Sequence, residues 1–358
     1  MAKFTEIFED VTKQGTKIPT NLYLENGLYP IIDQGQSEIA GYTNQTEGLF
    51  TDIPAIIFGD HTRIIKYVDT PCFLGADGVK LLKTKDNNAN YKYLYYALCH
   101  ADIPNTGYNR HFKWLKEIEI PECSTEEQNG IVAQLEKIDT LISLRKQQLA
   151  KLDELVKSRF IELFGDLERT TTIARYISEL RGGKSLAGTE PCKNKVLKTG
   201  AATFGWFDPE QYKYLPTDYE PLPEHKVETG DVIISRMNTP ELVGACSYVF
   251  KAPDDMYYPD RLWKAVLKEN TNPIFLWQLL WDRDVRKAIK ESSGGTSGTM
   301  HNISKPNLLA IKCIDAPIEL QNEYAEFVKQ TDKSKFEIQQ SLEKLETLKK
   351  ALMQKYFG

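Results

Sequence analysis

The chain has 358 residues, 41% of them hydrophobic and 27% charged, the balance of a folded globular protein with room for two ordinary domains. Its net charge of −5 excludes a uniformly basic polyanion binder, and no apolar run approaches the ~20 residues that a membrane-spanning helix needs. The six cysteines form no C-x-x-C pair, which argues against structural zinc and a disulfide framework; no basic-then-apolar leader opens the sequence, so the expected compartment is the cytosol, with no membrane partner.

In chain order, residues 1–122 read as a first α/β domain. Ala55-Ile56-Ile57-Phe58-Gly59-Asp60 spells a hydrophobic strand ending in a turn, Tyr91 to Leu98 an aromatic helix, and Gly107 a glycine-bearing loop. Ile118 and Ile120 form an apolar strand before Pro121. Residues 123–165 then read as one long helix. Positions 131, 135, 138, 142, 145, 149, 152, 156, 159 and 163 follow the four-three spacing of a coiled-coil seam, and all but 145 and 159 are apolar: Ile131, Leu135, Ile138, Ile142, Leu149, Leu152, Val156 and Leu163. Gly165 stops that helix.

Residues 166–315 read as a second α/β domain that echoes the first. Gly230-Asp231-Val232-Ile233-Ile234-Ser235-Arg236 matches the earlier strand and turn, Phe275 to Trp281 the aromatic helix, and Gly294-Gly295-Thr296-Ser297-Gly298 the glycine loop. Leu309, Ile311 and Ile314 form the apolar strand before Pro317. Residues 316–358 give a second long helix with a seam of Tyr324, Val328, Ile338, Leu342, Leu345, Leu352 and Tyr356, interrupted by Thr331, Lys335 and Lys349. Laid over each other, 128–165 and 321–358 hold a constant offset of 193: Gln128-Asn129 meets Gln321-Asn322, Asp139 meets Asp332, and Phe164-Gly165 meets Phe357-Gly358. At ~1.5 Å rise per residue each helix runs roughly 57 Å, longer than a small domain needs for its own core, so the two are expected to pack on each other.

That globular, helix, globular, helix order, with Pro121, Glu127-Gln128-Asn129-Gly130-Ile131 and the closing Leu163-Phe164-Gly165, resembles the specificity subunit of type I restriction-modification enzymes over nearly the whole chain. Tyr29-Pro30-Ile31-Ile32 with Gly35, and Gly230-Asp231-Val232-Ile233 with Arg236 and Val243-Gly244, are similar to signatures of that family's target-recognition domains. The resemblance implies an α/β fold in which two target-recognition domains alternate with two long helices that pair as an antiparallel coiled coil. Leu135, Ile138, Ile142, Leu149 and Leu152 of one helix and Leu342, Leu345 and Leu352 of the other are the expected pairing residues. It further implies a pseudo-twofold repeat, with each domain reading one half of a bipartite double-stranded DNA target and the helices acting as a ruler. Two methyltransferase subunits and restriction-translocase subunits are the implied partners. The chain itself is expected to hold no cofactor, with S-adenosylmethionine, ATP and magnesium confined to those partners. The second helix ends with the sequence, so both half-units are expected to be complete.

Catalytic machinery is not found in the sequence. There is no Asn/Asp-Pro-Pro-aromatic motif, and Arg181-Gly182-Gly183-Lys184-Ser185 has Ser178 where a phosphate loop requires its first glycine. Pro259-Asp260 is followed by Ala265-Val266-Leu267-Lys268, which supplies no second carboxylate for a cleaving metal. His61 beside Asp60 and Arg63 has the composition of a catalytic cluster, but the same residues serve base or phosphate contacts. A self-sufficient nuclease or methyltransferase and a plain coiled-coil scaffold remain the alternatives. The candidate DNA-reading residues follow strands and glycine loops: His61, Thr62, Arg63, Arg110 and Lys113 in the first domain, and Arg236, Asn238, Thr239, Ser297 and His301 in the second. Trp206, Trp263, Trp277 and Trp281 fit core positions. Residues 1–122 hold 12 basic against 16 acidic groups and 166–315 hold 20 against 20, so a DNA face must be a local patch, with partners clamping much of the phosphate backbone.

Overall fold

The computed structural model describes residues 1–75, 77–297 and 299–358, the side chains of 296 and 297 excepted, and divides them into two units, Met1–Gln148 with Ile338–Gly358 and Leu149–Glu337. Each unit holds one globular part and a half of each long helix.

In the first unit a four-stranded antiparallel sheet runs Phe8–Asp10, Val79–Thr84, Ala55–Gly59, Ile65–Val68. All five residues of Ala55–Gly59 are buried, as a continuous apolar run requires when a strand is covered on both faces. A smaller sheet orders Gly41–Thr43, Tyr29–Ile32 and Phe73–Leu74. The helix Tyr91–His100 is capped by Asn90, whose Oδ1 accepts from Tyr93 N, and it buries Tyr93, Leu94 and Leu98 against Ile56, Phe58 and Leu82.

The second unit repeats this plan strand for strand. Ile177–Gly182, Leu262–Leu267, Val232–Ser235 and Cys246–Tyr248 form the larger sheet, and Tyr212–Tyr214, Lys195–Leu197 and Met256–Tyr257 the smaller. Asn272 caps the helix Pro273–Leu280 as Asn90 does its counterpart. Even the tie to the long helix recurs: Asn90 Nδ2 donates to Asn129 Oδ1 and Asn272 Nδ2 to Asn322 Oδ1, both at 2.9 Å. The second unit adds the helix Arg283–Glu291 and a three-stranded sheet of Met237–Asn238, Met300–Asn302 and Gly294–Ser297.

The apolar runs before the long helices are shorter strands than the sequence suggests. Only Glu119–Ile120 and Lys312–Cys313 pair, with Ala2–Lys3 and Thr171–Thr172, and Ile118 precedes the first. Leu309 instead ends a short helix, Lys305–Leu309, because Ser304 Oγ caps it through Asn307 N and Pro306 suits its first turn.

The long helices span Thr125–Phe164 and Ile318–Phe357, 40 residues each. A capping box starts the first: Glu127 N donates to Ser124 Oγ (3.3 Å) and Ser124 N to Glu127 Oε2 (2.9 Å), and that bond holds the Glu127 carboxyl below its usual range. The halves pair antiparallel inside each unit. Tyr356 Oη donates to Gln134 Oε1 at 3.0 Å and Lys349 pairs with Asp139 in the first unit; Arg159 pairs with Glu323 and Lys335 with Asp153 in the second. Leu135, Ile138 and Leu342 are buried in the seam, and Ile142, Leu149, Leu152, Leu345 and Leu352 are half-buried there. Lys335 and Lys349 interrupt the apolar pattern because each reaches an aspartate of the opposite helix, and the buried Thr331 hydroxyl donates to Phe327 O of its own helix (2.9 Å). Among the described residues no helix is long and apolar enough to cross a membrane.

Because Leu135 is fully buried between helix and sheet, Leu135→Ala should destabilise the first unit by about 2–5 kcal/mol. Leu141→Ala, on the exposed side of the same helix, should stay within about 0.5 kcal/mol of the parent when unfolding in urea is followed by circular dichroism.

Candidate nucleic-acid interface

Where the central strand leaves each sheet, one residue fixes the loop through its main chain. In the first unit Asp60 N donates to Gly78 O (2.7 Å), and Asp60 O accepts from His111 N (2.8 Å). In the second, Arg236 N donates to Arg261 O (3.0 Å), and Arg236 O accepts from Ile303 N (3.1 Å). Asp60 and Arg236 are therefore equivalent positions, and in both units the loop after the central strand meets the segment that follows the glycine loop. The candidates from these two stretches, far apart in sequence, are brought together.

In the first unit the cluster is more structural than its composition suggests. Asp60 is buried, and its Oδ1 accepts from Phe112 N (2.8 Å) while its O lies 3.0 Å from His111 Nδ1. Thr62 Oγ1 donates to Gln34 O (2.6 Å), and Arg63, at φ 63°, donates from NH1 to Ile103 O (3.0 Å). Thr62 is the exposed member of the four, and His61 is half-buried. Its Nδ1 lies 3.1 Å from Asn109 O, and its ring stacks on Tyr108, which is 87% exposed, with centroids 4.7 Å apart and planes at 6°. Arg110 is exposed one residue further on, and Lys113 rests its ammonium 4.1 Å over the Trp114 ring.

In the second unit Arg236 donates from Nε to Asn302 Oδ1 (3.2 Å), with its guanidinium 6.0 Å over the Trp263 ring. Among the described residues neither terminal nitrogen of the fork makes a hydrogen bond or an ion pair. Asn238 pairs across the added sheet with His301, and its Nδ2 donates to Thr203 Oγ1 (3.4 Å). His301 Nδ1 lies 3.1 Å from Ser293 Oγ, and Thr239 is exposed at the rim. Ser297 belongs to the strand Gly294–Ser297; its side chain lies outside the described residues. Gly244 closes this loop at φ 71°, where a Cβ would stand 2.6 Å from Ile289 Cγ2, so glycine is required there on both counts. Among the described residues, Arg110, Lys113, Arg236 and Arg261 enter no ion pair.

The rival chemistry finds other uses. Arg181-Gly182-Gly183-Lys184-Ser185 continues an edge strand rather than opening a helix, and Ser185 Oγ bonds Asp260, the residue a metal site would have needed. Among the described residues no group of three His, Cys, Asp or Glu side chains could hold a metal ion.

One tryptophan departs from its expected core position. Trp263 is buried and Trp277 and Trp281 are half-buried, but Trp206 is 62% exposed and stacks on Phe204, also 62% exposed. The turn residues Gly205 and Asp208-Pro209 around it were the available signal of a loop.

A family model described as the type I restriction modification DNA specificity domain matches residues 1–154. The chain is similar to the EcoR124I/EcoR124II type I restriction enzyme specificity subunit of Escherichia coli, 26% identical over 341 residues, covering 87% of this chain and 80% of that one. It is also similar to the EcoKI specificity subunit of Escherichia coli strain K12, 24% identical over 268 residues and covering 67% and 57%. Its fold matches the crystal structure of a type I restriction-modification S subunit from M. genitalium at a TM-score of 0.61 and 17% identity, covering 99% of this chain and 95% of that one.

Removing the Asp60 carboxylate should leave the Phe112 amide buried without an acceptor, at a local cost of about 1–3 kcal/mol. In Asp60→Ala, hydrogen exchange over residues 105–115 should accelerate markedly, while Thr239→Ala, at an exposed loop position, leaves exchange at its own loop unchanged.

Proposed function

The chain belongs to the type I restriction-modification specificity subunits, and from that premise we propose that residues 1–122 and 166–315 are target-recognition domains, each reading one half of a bipartite double-stranded DNA site. As a DNA specificity subunit it is non-catalytic and binds no cofactor itself, and it works in a complex with partner subunits and DNA. We assign the partners as two methyltransferase subunits and restriction-translocase subunits, which carry S-adenosylmethionine, ATP and magnesium, and the compartment as the cytoplasm.

The observation that carries the two-domain reading is where the repeats differ. They share strand order, helix cap and the Asn90–Asn129 and Asn272–Asn322 ties, yet the loop after the central strand spans residues 60–63 in one and 236–244 in the other. The neighbouring loop spans 33–40 against 198–211. A repeat that keeps its scaffold and varies loops around one place is built to bind differently there. The chemistry at that place suits base edges: Arg236 is held by Nε with its terminal fork uncommitted among the described residues, the group that pairs with guanine O6 and N7, and the nearby Asn238 amide keeps one proton and one lone pair beyond its bonds to Thr203 Oγ1 and Thr239 N. His61 and Arg110 occupy the corresponding place in the first unit, with Thr62 and Arg63 holding the loop through Gln34 O and Ile103 O.

Two copies of one methyltransferase need two equivalent surfaces. Leu155 and Leu348, 193 positions apart, are 48% and 47% exposed on the long helices and provide such a pair.

Co-expression with the methyltransferase subunit of the same system in a host lacking other methylation, followed by single-molecule sequencing of modified adenines, should give one split motif. Arg236→Ala should relax one half-site only, by about 1–3 kcal/mol of discrimination. A stable complex with no motif would instead favour a scaffold. The chain alone should bind DNA weakly, because its charge is balanced or acidic outside local patches. Removing one heptad from each long helix, about 10 Å of rise, should change the spacer and leave both half-sites as they were; altered half-sites would contradict the ruler.

A further inference from the structure

We propose that Phe204 and Trp206 form an aromatic wedge that packs against a base-pair step of the half-site read by the second domain, an inference that rests on the specificity reading above. The loop that presents them is firmly built. Thr203 is buried, donating to Thr199 O (3.0 Å) and accepting from Asn238 Nδ2, and Asp208 N closes the loop on Ala201 O (3.0 Å). Phe207 turns inward beside Leu197 and Ala201. Between these anchors Gly205 takes φ 86°, a conformation open to glycine, and the chain turns there with Phe204 and Trp206 both exposed. Their rings stack at 5.6 Å and 28°, so they present one apolar block rather than two mobile side chains.

Three observations point this block at DNA. It is tied directly to the candidate reading loop by the Asn238–Thr203 bond. Exposed Lys198 opens the same loop, and exposed Arg261 accepts at its carbonyl from Arg236 N; the two cations enter no ion pair among the described residues. The loop is also one of the places where the repeats diverge: its counterpart, residues 33–40, is shorter and holds no aromatic residue. Apolar side chains beside cationic groups are what proteins insert at base steps, and their stacking tolerates sequence while favouring steps that unstack easily. The wedge should therefore act at the second half-site alone.

The test uses the assembled complex of this chain with its methyltransferase subunits. Phe204→Ala/Trp206→Ala and Trp206→Ala should weaken binding to the cognate duplex by about tenfold or more, as judged from the worth of base–aromatic stacking, with Trp206→Phe largely restoring it. Assembly without DNA, measured by light scattering, should be unchanged, and the loss should vanish on duplexes whose second half-site is scrambled. Unchanged binding by the double variant, with the split motif intact, overturns the wedge and leaves the specificity reading standing. Loss of the methyltransferase subunits in the absence of DNA also overturns it, assigning the pair to a protein contact. A wild-type complex with no sequence preference overturns both.

Discussion

Neither globular part closes its core alone. In the first, Leu135 of one long helix and Met353 of the other complete the cluster around Ile56, Phe58, Leu82 and Tyr93; in the second, Val156, Phe160 and Phe164 join Tyr324, Ala325 and Val328 around Phe275 and Leu279. Burying one such side chain contributes about 1.5–3 kcal/mol, so helix pairing and domain folding are energetically one event. The polar groups of the seam serve the same end. The Asp139 carboxylate takes both Lys349 and the Tyr96 hydroxyl (2.8 Å), which ties the helix Tyr91–His100 to both long helices at one point.

This dependence explains what was legible in the sequence. Seam periodicity is local, so Leu135, Ile138 and Leu342 could be placed from spacing alone. Lys335 and Lys349 could only look like flaws, because Asp153 and Asp139, which satisfy them, lie about two hundred residues away. The same holds in the candidate site. That Thr62 and Arg63 spend their polar groups on Gln34 O and Ile103 O, while the His61 ring stacks on exposed Tyr108, depends on contacts between loops that no motif encodes. Leu309 misled for the opposite reason: Ser304 and Pro306, a local helix start, outweigh the apolar run read as strand.

Trp206 shows the limit of composition. A large aromatic residue is worth most when buried, so core is the sensible expectation for it. A turn built on Gly205, with Thr203 and Phe207 taking the inward positions, leaves the indole out instead. Exposure of this kind is informative because the surrounding loop is anchored and could not simply fold the ring away.

The way the two candidate loops are held shows how one scaffold can present two different sets of side chains. At the equivalent positions the anchoring atoms belong to the main chain: Asp60 O and Arg236 O accept the same hydrogen bond, and Asp60 N and Arg236 N donate the same one. The side chain at that position has diverged completely. In one unit it is a carboxylate turned inward, where it adds a side-chain anchor to Phe112 N; in the other it is a guanidinium that donates from Nε to Asn302. A loop fixed by side chains would lose its shape whenever a contact residue changed. The main-chain bonds common to both units keep the loop in place while the side chains around it change, which is the physical condition for altering what a loop presents without rebuilding the fold.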